Sequence, residues 1–114
     1  MSFGANIQPI FDRSCALAGC HLGGTAINGQ DLAPGASYRS SVNKPALQKP
    51  GFQRVVPGNP NRSYLYLKII GDPRIVGVLM PQGCPGMPLG GAQCLTSDEI
   101  QAINTWITEC APNN

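Results

Sequence analysis

The chain has 114 residues and a formal net charge of +2, with 12% of residues charged and 42% apolar. That composition suits one domain over residues 1–114, with a core from about 5 to 110, and argues against a disordered tail. The scattered Lys44, Lys49 and Lys68 form no basic run, which argues against nucleic acid as a partner, and no segment approaches the ~18 apolar residues of a membrane span.

Glycine and proline number 14 and 11, so much of the chain must be loop. Aromatic residues are few: three Phe, three Tyr and one Trp. A loop-rich chain with so few rings has difficulty filling a core alone, and a large apolar cofactor or cross-links would relieve the shortage.

The first element is carried by "ANIQPIFDRSC". Ile7, Ile10, Phe11 and Cys15 recur near helical spacing, and Pro9 is tolerated only in a first turn. This predicts a helix over 7–17 that runs into the cluster "CALAGCH". Residues 22–58 are rich in Gly, Pro, Ser and Asn and read as long loop, with one short helical turn near 36–42. "GNPNRSYLYLKIIGD" predicts a middle helix with Asn59 as cap, Pro60 in the first position and Gly71 at the end. The next stretch, "PRIVGVLMPQGCPGMPLGGAQC", is loop again. "LTSDEIQAINTWITEC" predicts the last helix over 97–109. Thr96 and Glu99 have capping-box spacing, and Ile100, Ile103, Trp106, Ile107 and Cys110 form an apolar stripe, where Cys110 is expected to be buried. No alternating strand pattern is present. The expected class is all-α and loop-rich, with about three main helices.

The chain has five cysteines, Cys15, Cys20, Cys84, Cys94 and Cys110, and a single histidine, His21. If two cysteines are consumed by a cofactor, one disulfide and one free thiol account for the rest. The cluster "CALAGCH" has three readings. In the first, Cys15 and Cys20 form thioethers to the vinyl groups of a haem and His21 ligates its iron. Four residues separate the cysteines instead of the usual two, but Ala16 to Gly19 are small or apolar and can loop out, with a backbone bulge near Gly19. In the second, the cluster is part of a zinc site, which would require a second paired cluster that the chain lacks. An iron–sulfur spacing fails because Gly23 stands where a third cysteine is needed. In the third, both cysteines form disulfides, His21 is incidental, and the chain is a haem-free binding module.

On the haem reading, one histidine rules out two-histidine ligation. Met80 in "LMPQG" and Met87 in "GMPLGG" are the candidates for the far side of the iron, each followed by a proline that stiffens the loop. Met80 is preferred, because a Cys84–Cys94 disulfide would pinch Met87 into its own small loop. Tyr64, Tyr66 and Trp106 read as packing aromatics before pocket residues. Arg54 could meet a propionate, but a solvated surface arginine is the plainer reading.

The phrases "IQPIFDRSCALAGCH", "VVPGNPNRSYLYLKIIG", "LMPQG" and "LTSDEIQAINTWI", in that order, resemble a class I c-type cytochrome domain, the bacterial monohaem group with a C-x4-C-H haem site. The resemblance covers most of residues 5–108. It implies a small cytochrome c fold wrapped around one covalent haem c, with the terminal helices packed together. It also implies thioethers at Cys15 and Cys20, His21 as proximal ligand, and Met80 (alternatively Met87) as distal ligand. The function it implies is electron transfer by an Fe(III)/Fe(II) couple, with redox partner proteins, no catalytic residue, and a monomer. The alternative is the haem domain of a larger redox enzyme, or a ligand-binding sensor with a weak sixth ligand. "MSFGANIQPIF" has no leader-like pattern, and the cysteines favour a periplasmic or extracellular domain whose leader has been removed.

Overall fold

The architecture was analysed in a computed structural model that describes residues 1–17, 20–88 and 90–114. The expected bulge at Gly19 therefore lies outside the described residues. Four short α-helices carry the fold: α1 (Gln8–Ser14), α2 (Ser37–Ser41), α3 (Tyr64–Ile70) and α4 (Ser97–Thr108). A π-helical turn, Phe3–Ile7, leads into α1, and 3-10 turns occupy Gly23–Thr25, Ile27–Gly29 and Pro60–Arg62. About 40% of the chain is helical, and no strand forms among the described residues.

This corrects the expected three-main-helix cytochrome c fold. The helices are four, and only α4 exceeds seven residues. The physical reason is the placement of Gly, Pro and Ser. The N-terminal helix expected over 7–17 divides at Gln8, where the wider π turn gives way to α1, and it ends at Ser14. The middle helix does not begin at Pro60. Residues 60–62 form a 3-10 turn, and Ser63 then takes an extended backbone before α3 starts. The Ser63 hydroxyl is buried and occupied locally: it accepts from Val56 N–H and donates to the Asn59 carbonyl. Side-chain-to-backbone bonds of this kind compete with helix continuation.

The last helix follows its sequence signals closely. Thr96 Oγ1 accepts from Glu99 N–H, and the Glu99 carboxylate accepts from Thr96 N–H, closing the capping box. Glu99 also pairs with Arg13, which ties the start of α4 to α1. Cys110, expected on the apolar stripe, is exposed because the helix has already ended at Thr108 and Cys110 takes a left-handed backbone, φ 72°.

The core lies between α4, α1, α3 and the π turn. Trp106, Phe11, Ile7 and Ile107 are fully buried in it. Phe3 stands at the centre of an aromatic group, 5.1 Å from the Trp106 ring, 5.4 Å from Tyr38 and 6.1 Å from Phe11. The polar tips of that group turn outward to backbone: Trp106 Nε1–H donates to Pro112 O and Tyr38 Oη–H to Ala111 O. Trp106 is thus a packing residue. α3 stops at Gly71, whose φ of 70° favours glycine; a Cβ there would stand 2.9 Å from Leu79 Cδ1. The missing side chain lets the loop after α3 fold back along the helix, and that loop carries Met80.

Candidate functional site

Along one side of the core, α1, α3, α4 and the loops before and after α3 leave a cleft, with a cavity volume of about 110 Å³, that opens to solvent. Its walls are mostly apolar. Phe11 from α1, Leu65 and Ile69 from α3, and Ile103 from α4 face it, with Leu32 and Leu95 from loops. The lining, apolar with a few polar groups, suits an apolar ligand that reaches out through the open side.

His21 lines this cleft and its backbone is fixed on both sides. Its carbonyl accepts from Leu32 N–H at 2.8 Å, and its own N–H reaches Cys15 O at 3.2 Å. The ring Nδ1 lies 2.9 Å from the Gln30 carbonyl. A carbonyl only accepts, so Nδ1 carries the proton and Nε2 keeps its lone pair free for a metal. Burial, above all, lowers the His21 pKa; the cations Arg54 and Lys68 lower it further, against the opposing effect of hydrogen bonding to the Gln30 and Ile27 backbone. The imidazole is therefore neutral at physiological pH, as a ligand must be.

Cys15 also faces the cleft. Burial pushes its thiol pKa up to about 12, with Cys20 adding to the rise. Cys20 is not among the residues lining the cleft; its Sγ lies near Gly90. Both thiols are free. Met80 lines the cleft, half-buried, and its N–H donates to the Lys68 carbonyl at 2.9 Å. Met87 is 84% exposed and outside the cleft. Cys84 and Cys94 are joined in a disulfide whose loop contains Met87. The fold thus brings Cys15, His21 and Met80 to one cleft, while Cys20 and Met87 are not among the residues that line it.

Two cleft residues differ from the sequence reading, which took Arg54 for a solvated arginine before a propionate partner and Lys68 for a scattered charge. Arg54 is not a solvated arginine: it is 8% exposed, with Nη1 donating to Ser40 O and Nη2 to Asn28 O. Lys68 is 7% exposed, and its Nζ donates to Val76 O at 2.8 Å. Burial lowers the pKa of both. Among the described residues neither pairs with a carboxylate. Buried cations without a counter-charge are costly unless a ligand supplies one. A signal for Lys68 was present: it shares the helix face of Tyr64, Leu65 and Ile69, an unusual place for lysine. Tyr64 is another cleft residue, buried; its hydroxyl accepts from Val76 N–H and donates to Gln48 Oε1. Tyr66 does not line the cleft and packs against the core.

Zinc finds no support: no group of three or more His, Cys, Asp or Glu that could hold a metal occurs among the described residues. The donor set does suit a haem. It offers one neutral imidazole, one thioether, the Cys15 thiol with Cys20 next to His21 in the chain, apolar walls, and two cations without a carboxylate partner among the described residues.

The thiol environments give a test. Before any haem is attached, at pH 8, exposed Cys110 should react with iodoacetamide at least ~100-fold faster than Cys15, because alkylation requires the thiolate. A raised pKa means that Cys15 gains thiolate only as pH climbs towards 12, so its rate should rise about tenfold per pH unit over that range. Equal labelling of the two at pH 8, read by peptide mass spectrometry, would contradict this cleft geometry.

Comparison with family models, with curated proteins and with solved structures finds no match to this chain.

Proposed function

We propose that this chain is an electron-transfer protein carrying one covalent c-type haem with His/Met axial ligation. The observation that carries the reading is the convergence of Cys15, His21 and Met80 on a single apolar cleft flanked by unpaired Arg54 and Lys68. A haem held there would supply a one-electron Fe(III)/Fe(II) couple.

The chain's own residues do the rest. Cys15 and Cys20 would anchor the group through thioethers. His21 presents Nε2 as the proximal donor, oriented by the Gln30 carbonyl. Met80 offers a soft thioether sulfur, and the Lys68 carbonyl holds its backbone N–H. Val76 is gripped on both sides, by Tyr64 at its N–H and by Lys68 at its carbonyl, which fixes the loop leading to Met80. Arg54 and Lys68 supply positive charge for carboxylates. Phe11, Leu65, Ile69 and Ile103 exclude water, which lowers the local dielectric and limits solvent reorganisation during electron transfer. No side chain is assigned a catalytic role: the one histidine is engaged as a ligand.

The charge distribution also suggests the partner. Six of the eight basic residues, Lys44, Lys49, Arg54, Arg62, Lys68 and Arg74, lie in 44–74 with a single acid, Asp72. That segment carries +5 and the remainder of the chain −3. Lys49 Nζ and the Arg62 guanidinium flank the Phe52 ring at 5.2 and 4.7 Å, and Lys49 also donates to Arg74 O. Leu47, a cleft residue, is 61% exposed, and Val76 and Val78 on the loop after α3 are 47% and 51% exposed. Exposed apolar side chains together with an excess of basic ones over 44–78 suit a redox partner protein with an acidic docking surface. The chain itself would act as a periplasmic or extracellular monomer.

Two tests follow. In the haem-bearing protein, Met80→Ala should abolish the sulfur-to-iron charge-transfer absorption of the oxidised state, and Met87→Ala should leave it intact. Loss with Met87→Ala alone, or a wild-type spectrum with no sulfur ligand, sinks the assignment. For the docking face, the double change Lys49→Glu/Arg62→Glu should slow electron exchange with an anionic inorganic complex by ~10-fold at low salt and remove its salt dependence. Arg39→Glu, outside the basic segment, should change the rate less than twofold; equal effects at both places would reject this face.

A further inference from the structure

The Gln30 carbonyl can orient His21 only if the loop that presents it is held still, and residues 30–33 lie outside any helix. One side chain closes that loop. Asp31 Oδ1 accepts from Gly23 N–H and from Ala33 N–H, each at 3.0 Å, so a single oxygen joins the two ends of the segment that contains Gln30. Asp31 N–H in turn donates to Ser40 Oγ at 2.8 Å, fastening the same residue to α2. Among the described residues Asp31 makes no salt bridge, so its hydrogen bonding is directed to peptide N–H groups. Leu32, the next residue, completes the frame: its N–H goes to the His21 carbonyl at 2.8 Å and its carbonyl accepts from Gln8 Nε2 on α1 at 2.9 Å.

We propose that Asp31 is a positioning residue for the iron ligand: by bridging Gly23 and Ala33 it holds the Gln30 carbonyl on His21 Nδ1, and so sets how strongly His21 donates to the metal. This rests on the haem reading above. The physical chain is short. A firm Nδ1–H···O=C bond pushes electron density towards Nε2, and a richer donor favours Fe(III) over Fe(II). Releasing the carbonyl weakens that donation and lets the ring turn.

The test compares Asp31→Ala with Asp31→Asn in the haem-bearing protein. The amide oxygen of Asn can still accept both N–H groups, whereas Ala accepts neither. In Asp31→Ala the His21 Nδ1 proton should exchange with solvent at least ~10-fold faster by NMR. The Fe(III)/Fe(II) equilibrium should shift about tenfold towards Fe(II), ~59 mV for one electron. Asp31→Asn should restore the wild-type exchange rate, and amide exchange at Ile103 in α4 should be the same in all three proteins. If Asp31→Ala does not fold, Asp31→Ser carries the test, since its shorter hydroxyl cannot bridge both N–H groups, and the same criteria apply. A haem-bearing Asp31→Ala with unchanged Nδ1 exchange and unchanged potential overturns the positioning role and leaves the haem reading standing. A wild-type chain that carries no covalent haem overturns both.

Discussion

The apolar surface that stabilises this protein is the same surface that walls its cleft. Phe11, Leu32, Leu65, Ile69 and Ile103 belong to the central cluster and also line the cleft. A chain with 25 Gly and Pro residues among 114 forms only short helices and cannot bury a large core with them alone. α4, with its capping box and its tie to Arg13 of α1, is the one long support, and α3 and the π turn pack against it. An apolar ligand in the cleft would extend the core, so ligand binding and folding stability are expected to be linked.

Loops therefore carry the polar chemistry, and each is fixed by hydrogen bonds to peptide groups. Asp31, Ser40 and Gln8 hold the segment that meets His21. Tyr64 and Lys68 hold the segment that leads to Met80. Arg54 clasps the Asn28 and Ser40 carbonyls from the opposite wall. In the absence of regular elements, this satisfies loop backbone groups that would otherwise be left unpaired.

The parts of this arrangement written in local pattern were legible in the sequence. The Thr96–Glu99 box and the stripe of Ile103, Trp106 and Ile107 gave α4 nearly to the residue. The "CALAGCH" cluster and the Met-Pro phrase named Cys15, His21 and Met80, which share the cleft. What escaped reading depends on distant contacts. The Gln30 carbonyl and the Asp31 bridge come from chain reversal within a glycine-rich loop, which has no periodicity to read. Arg54 was misjudged because its burial comes from carbonyls 14 and 26 residues away. The helix count rose to four because the turn expected near 36–42 closes as α2, the bounds of the first and middle helices failed because Gln8 and Ser63 mark breaks that propensity does not register, and Cys110 failed because α4 ends two residues before it.

The central claim is that Cys15 and Cys20 attach a haem whose iron His21 ligates. The most direct measurement is the intact mass of the protein matured in a host that attaches c-type haem, followed by peptide mapping after denaturation. The account predicts a mass increase of one haem, confined to the peptide holding both Cys15 and Cys20. A chain that emerges at its bare polypeptide mass, or with haem removable by acid and organic solvent, would contradict it.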